Sequence, residues 1–181
     1  MFKINYNVKT LIIAHCISSI GDWLNILALM SLVVTISDKK EILAILMIIR
    51  ALPQIVFGPI VSGIIDSLNK KWTLIAVSLI SSIFVFVIPF FSSNIYVVIG
   101  LAFLLGLLNI FMTPIIYSII PIVTEEKDIL FVDTIFNSFT SAIGIFAPVV
   151  SGVILMISNI SLSFYIDSIS FIIFALLIFY L

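Results

Sequence analysis

Two charged residues lie inside long apolar stretches of this sequence and could perform chemistry at membrane depth. Asp22 lies about 14 residues into the first stretch, and Arg50 lies eight residues into the second. A charge at such depth costs about 2.5–3.5 kcal/mol or more unless it is paired or neutralised. At about 1.5 Å per residue, we expect Asp22 about 21 Å and Arg50 about 22 Å above the inner ends of their helices, so the two side chains can meet.

We expect Asp22 and Arg50 to face the interior of a helix bundle, as an ion pair or as a pair bridged by water or substrate. A carboxylate in this position could bind and release a proton. The alternative is a static pair that fixes the register of two helices and never titrates. Asp167 is a second candidate, but it lies about six residues from a polar turn and could be hydrated, as could Asp133. His15 and Cys16 are interpreted as packed side chains.

The composition indicates which elements position these charges. Hydrophobic residues make up 63% of the 181 residues and charged residues 9%, against about half and a quarter in soluble domains. A membrane helix needs about 20 apolar residues, so the chain has room for about six spans and no extramembrane domain. The fold class predicted is an all-α membrane protein, with spans at 8–37, 42–65, 73–91, 95–123, 129–157 and 162–181.

Several functions are excluded by the same composition. A net charge of −1 lacks the basic surface that nucleic-acid binding requires. One Cys and one His cannot form an intrachain disulfide or a His/Cys zinc site, so we expect no enzyme activity, metal or cofactor. An intramembrane serine protease needs a Gly-x-Ser-Gly motif and a histidine on a later helix, but His15 is in the first span.

The short loops predict how the spans are oriented. With the N-terminus in the cytoplasm, the cytoplasmic side carries five lysines and the outer side two, an asymmetry that matches the positive-inside rule. We therefore expect an integral cell-membrane protein with both termini in the cytoplasm. The inner residues are Lys3, Lys9, Lys70, Lys71 and Lys127, and the outer ones are Lys39 and Lys40.

Two related segments divide the single transmembrane domain into repeats. Residues 57–65 read FGPIVSGII and residues 146–154 read FAPVVSGVI, an offset of 89 that also places span one on span four and span three on span six. An odd number of spans per copy predicts two inverted three-helix repeats, 1–92 and 93–181, as in many secondary transporters. The alternative is coincidence in a sequence rich in Ile, Val and Ser.

Both segments carry small residues and proline. Small residues four apart allow close helix approach in a membrane, and an internal proline is tolerated where protein neighbours satisfy the freed carbonyl. We therefore expect helix packing at these positions, which packing without transport would explain equally well. The residues are Gly58, Pro59, Ser62, Ala147, Pro148, Ser151 and Gly152.

Four segments resemble the N-terminal half of a major facilitator superfamily transporter, particularly the macrolide-efflux and siderophore-exporter branch. They are residues 18–24 (SSIGDWL), 50–53 (RALP), 63–71 (GIIDSLNKK) and 164–171 (FYIDSISF). The third is similar to the signature loop between spans two and three of the family. The resemblance implies that Gly63, Asp66, Lys70 and Lys71 belong to a cytoplasmic gate; plain positive-inside topology is the alternative for the lysines.

The sequence departs from the family pattern at several positions. Ser62, Ser67 and Asn69 occur where the loop commonly has Gly, Arg and Gly. Ala147-Pro148 replaces the glycine-proline of the antiporter motif in span five. Family members have twelve spans in two halves, so we expect this chain to need a missing C-terminal half or a second copy. A fragment or truncated product is the favoured interpretation.

The resemblance implies a function. We expect half of a secondary active transporter, with proton-coupled efflux of a drug-like or siderophore-like amphipathic molecule. The lipid bilayer, this substrate and protons are its expected partners. The alternative is a non-transporting remnant or a membrane scaffold.

Overall fold

The computed structural model describes residues 6–37 and 41–181. It contains six long helices: α1 (Tyr6–Ile36), α2 (Glu41–Ile64), α3 (Lys70–Val87), α4 (Ile95–Val123), α5 (Ile129–Ile157) and α6 (Ile160–Phe179). Each is long and apolar enough to cross a membrane, which confirms the predicted all-α membrane fold. Lys3, Lys39 and Lys40, which enter the predicted orientation, lie outside the described residues.

Asparagine residues in two of the turns fix where α3 and α4 begin. Asn69 accepts a hydrogen bond from the backbone N–H of Trp72, and Asn94 accepts from those of Tyr96 and Val97. Such N-caps satisfy backbone donors that have no partner inside the helix. Because Asn69 caps α3, this helix begins at Lys70, three residues before the predicted span.

The helices pack in a pattern that is symmetric between the two halves of the chain. α1 packs against α5 and α6, α4 packs against α2 and α3, and α3 packs against α6. Exchanging the first three helices with the last three leaves this set of contacts unchanged, as expected of two related three-helix units.

The contact between α3 and α6 shows the same symmetry at the level of atoms. The Ser82 hydroxyl donates to the Ser168 carbonyl at 2.9 Å, and the Ser168 hydroxyl donates to the Ser82 carbonyl at 3.0 Å. Interhelical serine bonds of this kind join membrane helices where no hydrophobic force does.

Burial is unequal among the helices. In α3 and α6, 44% and 50% of the most apolar segment is buried, against 22% in α2 and 11% in α5. α2 and α5 therefore present wide faces outside the bundle, while α1, α3, α4 and α6 hold most of its core.

Candidate functional site

A cluster of polar side chains lies where α1, α2 and α6 approach one another; Asn25, Asp167 and Ser170 are buried, and Asp22 and Arg50 are half-buried. Asp22 and Asn25 come from α1, Arg50 from α2, and Asp167 and Ser170 from α6. Residues three apart share one face of a helix, so the 22/25 and 167/170 pairs each point in one direction. These five residues are called the buried polar cluster below.

Arg50 is the only cation of the cluster. Its Nη1 donates to Oδ1 of Asn25 at 2.9 Å, and its charge interacts with those of both Asp22 and Asp167. No ion pair within 4.0 Å joins Asp22 to Arg50 in the described part of the chain. The sequence analysis predicted that Asp22 and Arg50 lie at the same depth. In the structure, the direct hydrogen-bond partner of Arg50 is the Asn25 amide.

Asp167 is the most deeply buried acid of the cluster, with 0% of its surface exposed. Oδ1 of Asp167 accepts a hydrogen bond from the Ser170 hydroxyl at 3.2 Å, while among the described residues Oδ2 has no donor within 3.5 Å. The Asp22 and Asp167 carboxylates also repel each other. Two carboxylates around one guanidinium leave one negative charge uncompensated unless a proton is bound.

Two glycines let the helices approach at this cluster. A Cβ on Gly21 would lie 2.9 Å from the Ser170 Cβ and would also contact the Asp167 carboxylate. A Cβ on Gly106 of α4 would lie 2.5 Å from the Arg50 carbonyl oxygen. Real Cβ atoms do not approach other atoms so closely, so glycine at these positions brings α6 to α1 and α2 to α4.

The residues assigned by resemblance to a cytoplasmic gate lie around the turn between α2 and α3. Gly63 and Asp66 are exposed, while Lys70 and Lys71 form the first residues of α3. Lys71 Nζ lies 5.6 Å above the Phe179 ring of α6. These lysines line an open cleft of about 360 Å³ with the ends of α4 and α6. Their gating role stays a prediction.

The small residues of the two related segments have different surroundings. In α5, Ala147 and Ser151 are 2% and 0% exposed and Pro148 is half-buried. In α2, Ser62 and Pro59 are exposed, and the Ser62 hydroxyl donates to the Gly58 carbonyl. Among the described side chains, a Cβ on Gly58 would approach only Gln54 of the same helix. Within the described residues nothing approaches the Cβ positions of Gly63 or Gly152 within 4 Å.

A second group of polar residues lies on the outer faces of α4 and α5, where the sequence analysis assigned no site. The Tyr117 hydroxyl donates to Oδ1 of Asn137 at 2.7 Å, and Nδ2 of Asn137 donates to Oδ2 of Asp133 at 3.2 Å. His15 stacks on Phe136 at 4.9 Å beside them. We call the exposed polar positions of these helices the polar stripe; they are Thr113, Tyr117, Thr134, Asn137, Ser138 and Ser141.

No group of three or more His, Cys, Asp or Glu suited to a metal ion occurs in residues 6–37 or 41–181.

Outside the membrane-spanning part, Lys127 lies 2.6 Å from Glu125 and lowers the pKa of that carboxyl. Both side chains are well exposed, so this pair contributes little to stability.

Comparison with known proteins identifies the family to which this chain belongs. The model of the Major Facilitator Superfamily matches residues 11–181. An uncharacterized MFS-type transporter of Bacillus subtilis, YfiS, is 35% identical over 72 residues, which are 39% of this chain and 17% of that protein. The matched segment is thus a small part of the relative's length. No solved structure matches the chain.

Proposed function

Because the chain belongs to the Major Facilitator Superfamily, a family of membrane transporters, we propose that it forms the N-terminal six-helix half of a secondary active transporter. Its proposed activity is proton-coupled efflux of an amphipathic small molecule, of a drug-like or siderophore-like kind. The observation that carries this proposal is the buried polar cluster, which joins α1, α2 and α6 at membrane depth.

The cluster is suited to proton coupling because its charges do not balance. Asp22 and Asp167 share one cation, Arg50. Binding of one proton neutralises the cluster, and release of that proton leaves a net negative charge. Intramembrane acids arranged in this way are typical of proton pathways in transporters. A static structural pair would need one carboxylate and one guanidinium, not two carboxylates.

The second element of the proposal is the turn between α2 and α3. Asp66 lies in the turn that follows α2, Lys70 and Lys71 begin α3, and both of these helices pack against α4. Ion pairs at such a position can hold one conformation and break in another. We propose that this turn is on the cytoplasmic side, that both termini are cytoplasmic, and that the membrane is the cell membrane.

The polar stripe supports the need for a further six-helix unit. Its hydroxyl and amide groups would be poorly solvated in lipid. We propose that a C-terminal half, or a second copy of the chain, covers this face and encloses a substrate cavity lined by α1, α2, α4 and α5. The 1–92 and 93–181 repeats would then form one of two such halves.

Flux in proteoliposomes tests the proposed function. Purified protein is reconstituted, an inward or outward pH gradient is imposed, and uptake of two probes is followed: ethidium, an amphipathic cation, and a fluorescent iron chelator. We expect uptake of one probe to depend on the gradient and to fall at least tenfold in Asp22→Asn. Glu126→Gln, an exposed acid outside the cluster, is the matched control and should retain the flux.

The outcomes separate the proposal from its alternative. Gradient-dependent flux that Asp22→Asn abolishes supports a proton-coupled transporter. Flux that ignores the gradient removes the coupling role. Absence of flux of either probe, in vesicles that hold folded protein, favours a non-transporting remnant or scaffold.

A further inference from the structure

The amide oxygen of the buried Asn25 side chain is hydrogen-bonded, whereas its amide nitrogen is not. Its Oδ1 accepts from Arg50 Nη1, and Asn25 is only 1% exposed, while among the described residues no hydrogen-bond acceptor lies within 3.5 Å of its Nδ2. Beside it lies the Asp167 carboxyl, on which the Asn25 amide acts as a neighbouring hydrogen-bond donor, although among the described residues the buried Oδ2 of Asp167 has no donor within 3.5 Å. A donor and an acceptor that are both unsatisfied, adjacent and shielded from water are uncommon in folded proteins.

Two hydrogen-bond arrangements can satisfy both atoms, and they require different protonation of Asp167. If Asp167 is ionised, a small approach lets Asn25 Nδ2 donate to Asp167 Oδ2 while Oδ1 keeps its bond from Arg50. If Asp167 carries a proton on Oδ2, that hydroxyl needs an acceptor. Rotation of the Asn25 side-chain amide by about 180° places its Oδ1 next to this hydroxyl, where it can accept the hydrogen bond.

After this rotation, Asn25 can no longer accept the hydrogen bond from Arg50. Its Nδ2 then faces the guanidinium, and two donors cannot bond to each other. The nearby acceptor that remains for Arg50 is the Asp22 carboxylate, with which it already interacts electrostatically. Protonation of Asp167 also removes the competing negative charge, so both effects move Arg50 toward Asp22.

Within residues 6–37 and 41–181, two charged groups act on Asp167. Asp22 faces it from α1 and Arg50 from α2. α3 also packs against α6, but its two charged residues, Lys70 and Lys71, lie in its first turn near Phe179. At the level of Asp167 and the following turn, α3 contributes the uncharged Ser82.

We propose that Asn25 is a two-position amide that links protonation of Asp167 to the partner of Arg50. In one position Arg50 is bonded to Asn25 and Asp167 is ionised. In the other, Asp167 has bound one proton from the aqueous phase, and Arg50 pairs with Asp22. The inference rests on the proposed function, since it names how one site of that transporter exchanges a proton, but it concerns the cluster itself and can be tested without substrate.

Infrared difference spectroscopy on the purified chain in lipid nanodiscs tests this inference. Spectra at acid and neutral pH are subtracted, so that the protonated-carboxyl band and the guanidinium bands report Asp167 and Arg50. In the unaltered protein we expect both sets of bands to titrate with one midpoint. Asp167→Asn should remove the carboxyl band of the cluster, and Asn25→Leu should leave that band but abolish the guanidinium change. Asn109→Leu, which alters a half-buried amide of α4, is the matched control.

Asn25→Ser provides a second variant if Asn25→Leu does not fold, because a hydroxyl is too short to reach both neighbours and should also uncouple the bands. A carboxyl band that persists in Asp167→Asn would overturn the inference, since the proton would reside elsewhere. Bands that titrate together in both Asn25 variants would overturn it as well. If the carboxyl and guanidinium bands titrate together in a protein that transports neither probe, the inference is supported and the proposed function is contradicted.

Discussion

Arg50 carries the positive charge on which the buried polar cluster depends. Asp22 and Asp167 both interact with it, and the Asn25 amide accepts its hydrogen bond. Removal of one member of a buried charge group costs more than the group contributes as a whole, because uncompensated charge is left behind. The arginine is therefore the position whose loss is most damaging.

We expect Arg50→Leu to lower the free energy of unfolding by about 3–5 kcal/mol. Two carboxylates would be left at membrane depth without a cation. Denaturant titration in detergent, followed by circular dichroism, measures the loss. Adding Asp167→Asn to this variant should recover part of it, because one of the two charges is then removed. Lys9→Leu, at an exposed cation of α1, is the control, and an equal effect of both leucine variants would contradict the role of Arg50.

At the residue scale, the sequence predicted part of the cluster. The depths of Asp22 and Arg50 follow from counting residues along each helix, and that counting placed them together. It also suggested that Asp167 could be hydrated, whereas the structure shows it 0% exposed, because α1 and α3 cover that face of α6. Asn25 was missed; its position three residues after Asp22 was the available signal.

At the scale of helices, two glycines decide how closely the elements around the cluster can pack. Gly21→Ala would place a methyl group against Ser170 and Asp167. We expect it to lower the free energy of unfolding by about 1–3 kcal/mol, because α1 and α6 must separate. The same denaturant titration measures this. Nothing lies within 4 Å of the Cβ position of Gly144 in α5, so Gly144→Ala should be neutral or slightly stabilising, and a loss equal to that of Gly21→Ala would argue against close packing.

The helices themselves could be predicted better than their contacts. Hydropathy alone gives six spans because every backbone polar group in lipid must be satisfied within a helix. Which small residues are packed does not follow from the sequence. The related segments in α2 and α5 share the Pro-x-x-Ser-Gly pattern, and each helix packs against one helix of the other half, yet Ser151 is buried and Ser62 is exposed.

At the scale of the whole molecule, the orientation in the membrane can be measured directly. In a Cys16→Ser background, single cysteines are introduced as Lys70→Cys and Asn94→Cys, on turns that a single helix separates. We expect an impermeant maleimide to label position 94 in intact cells and position 70 only in everted vesicles. The opposite pattern would reverse the proposed cytoplasmic side, and labelling of both from one side would contradict a membrane-spanning α3.

Proton coupling through the buried polar cluster is tested most directly by comparing two fluxes of one transported probe in the same proteoliposomes. Net flux driven by a pH gradient requires a proton to bind and leave, whereas exchange of labelled for unlabelled probe at equal pH does not. We predict that Asp22→Asn and Asp167→Asn each reduce net flux at least tenfold and retain exchange within about twofold of the unaltered protein. Full gradient-driven flux in both variants would contradict a proton-carrying role for the cluster.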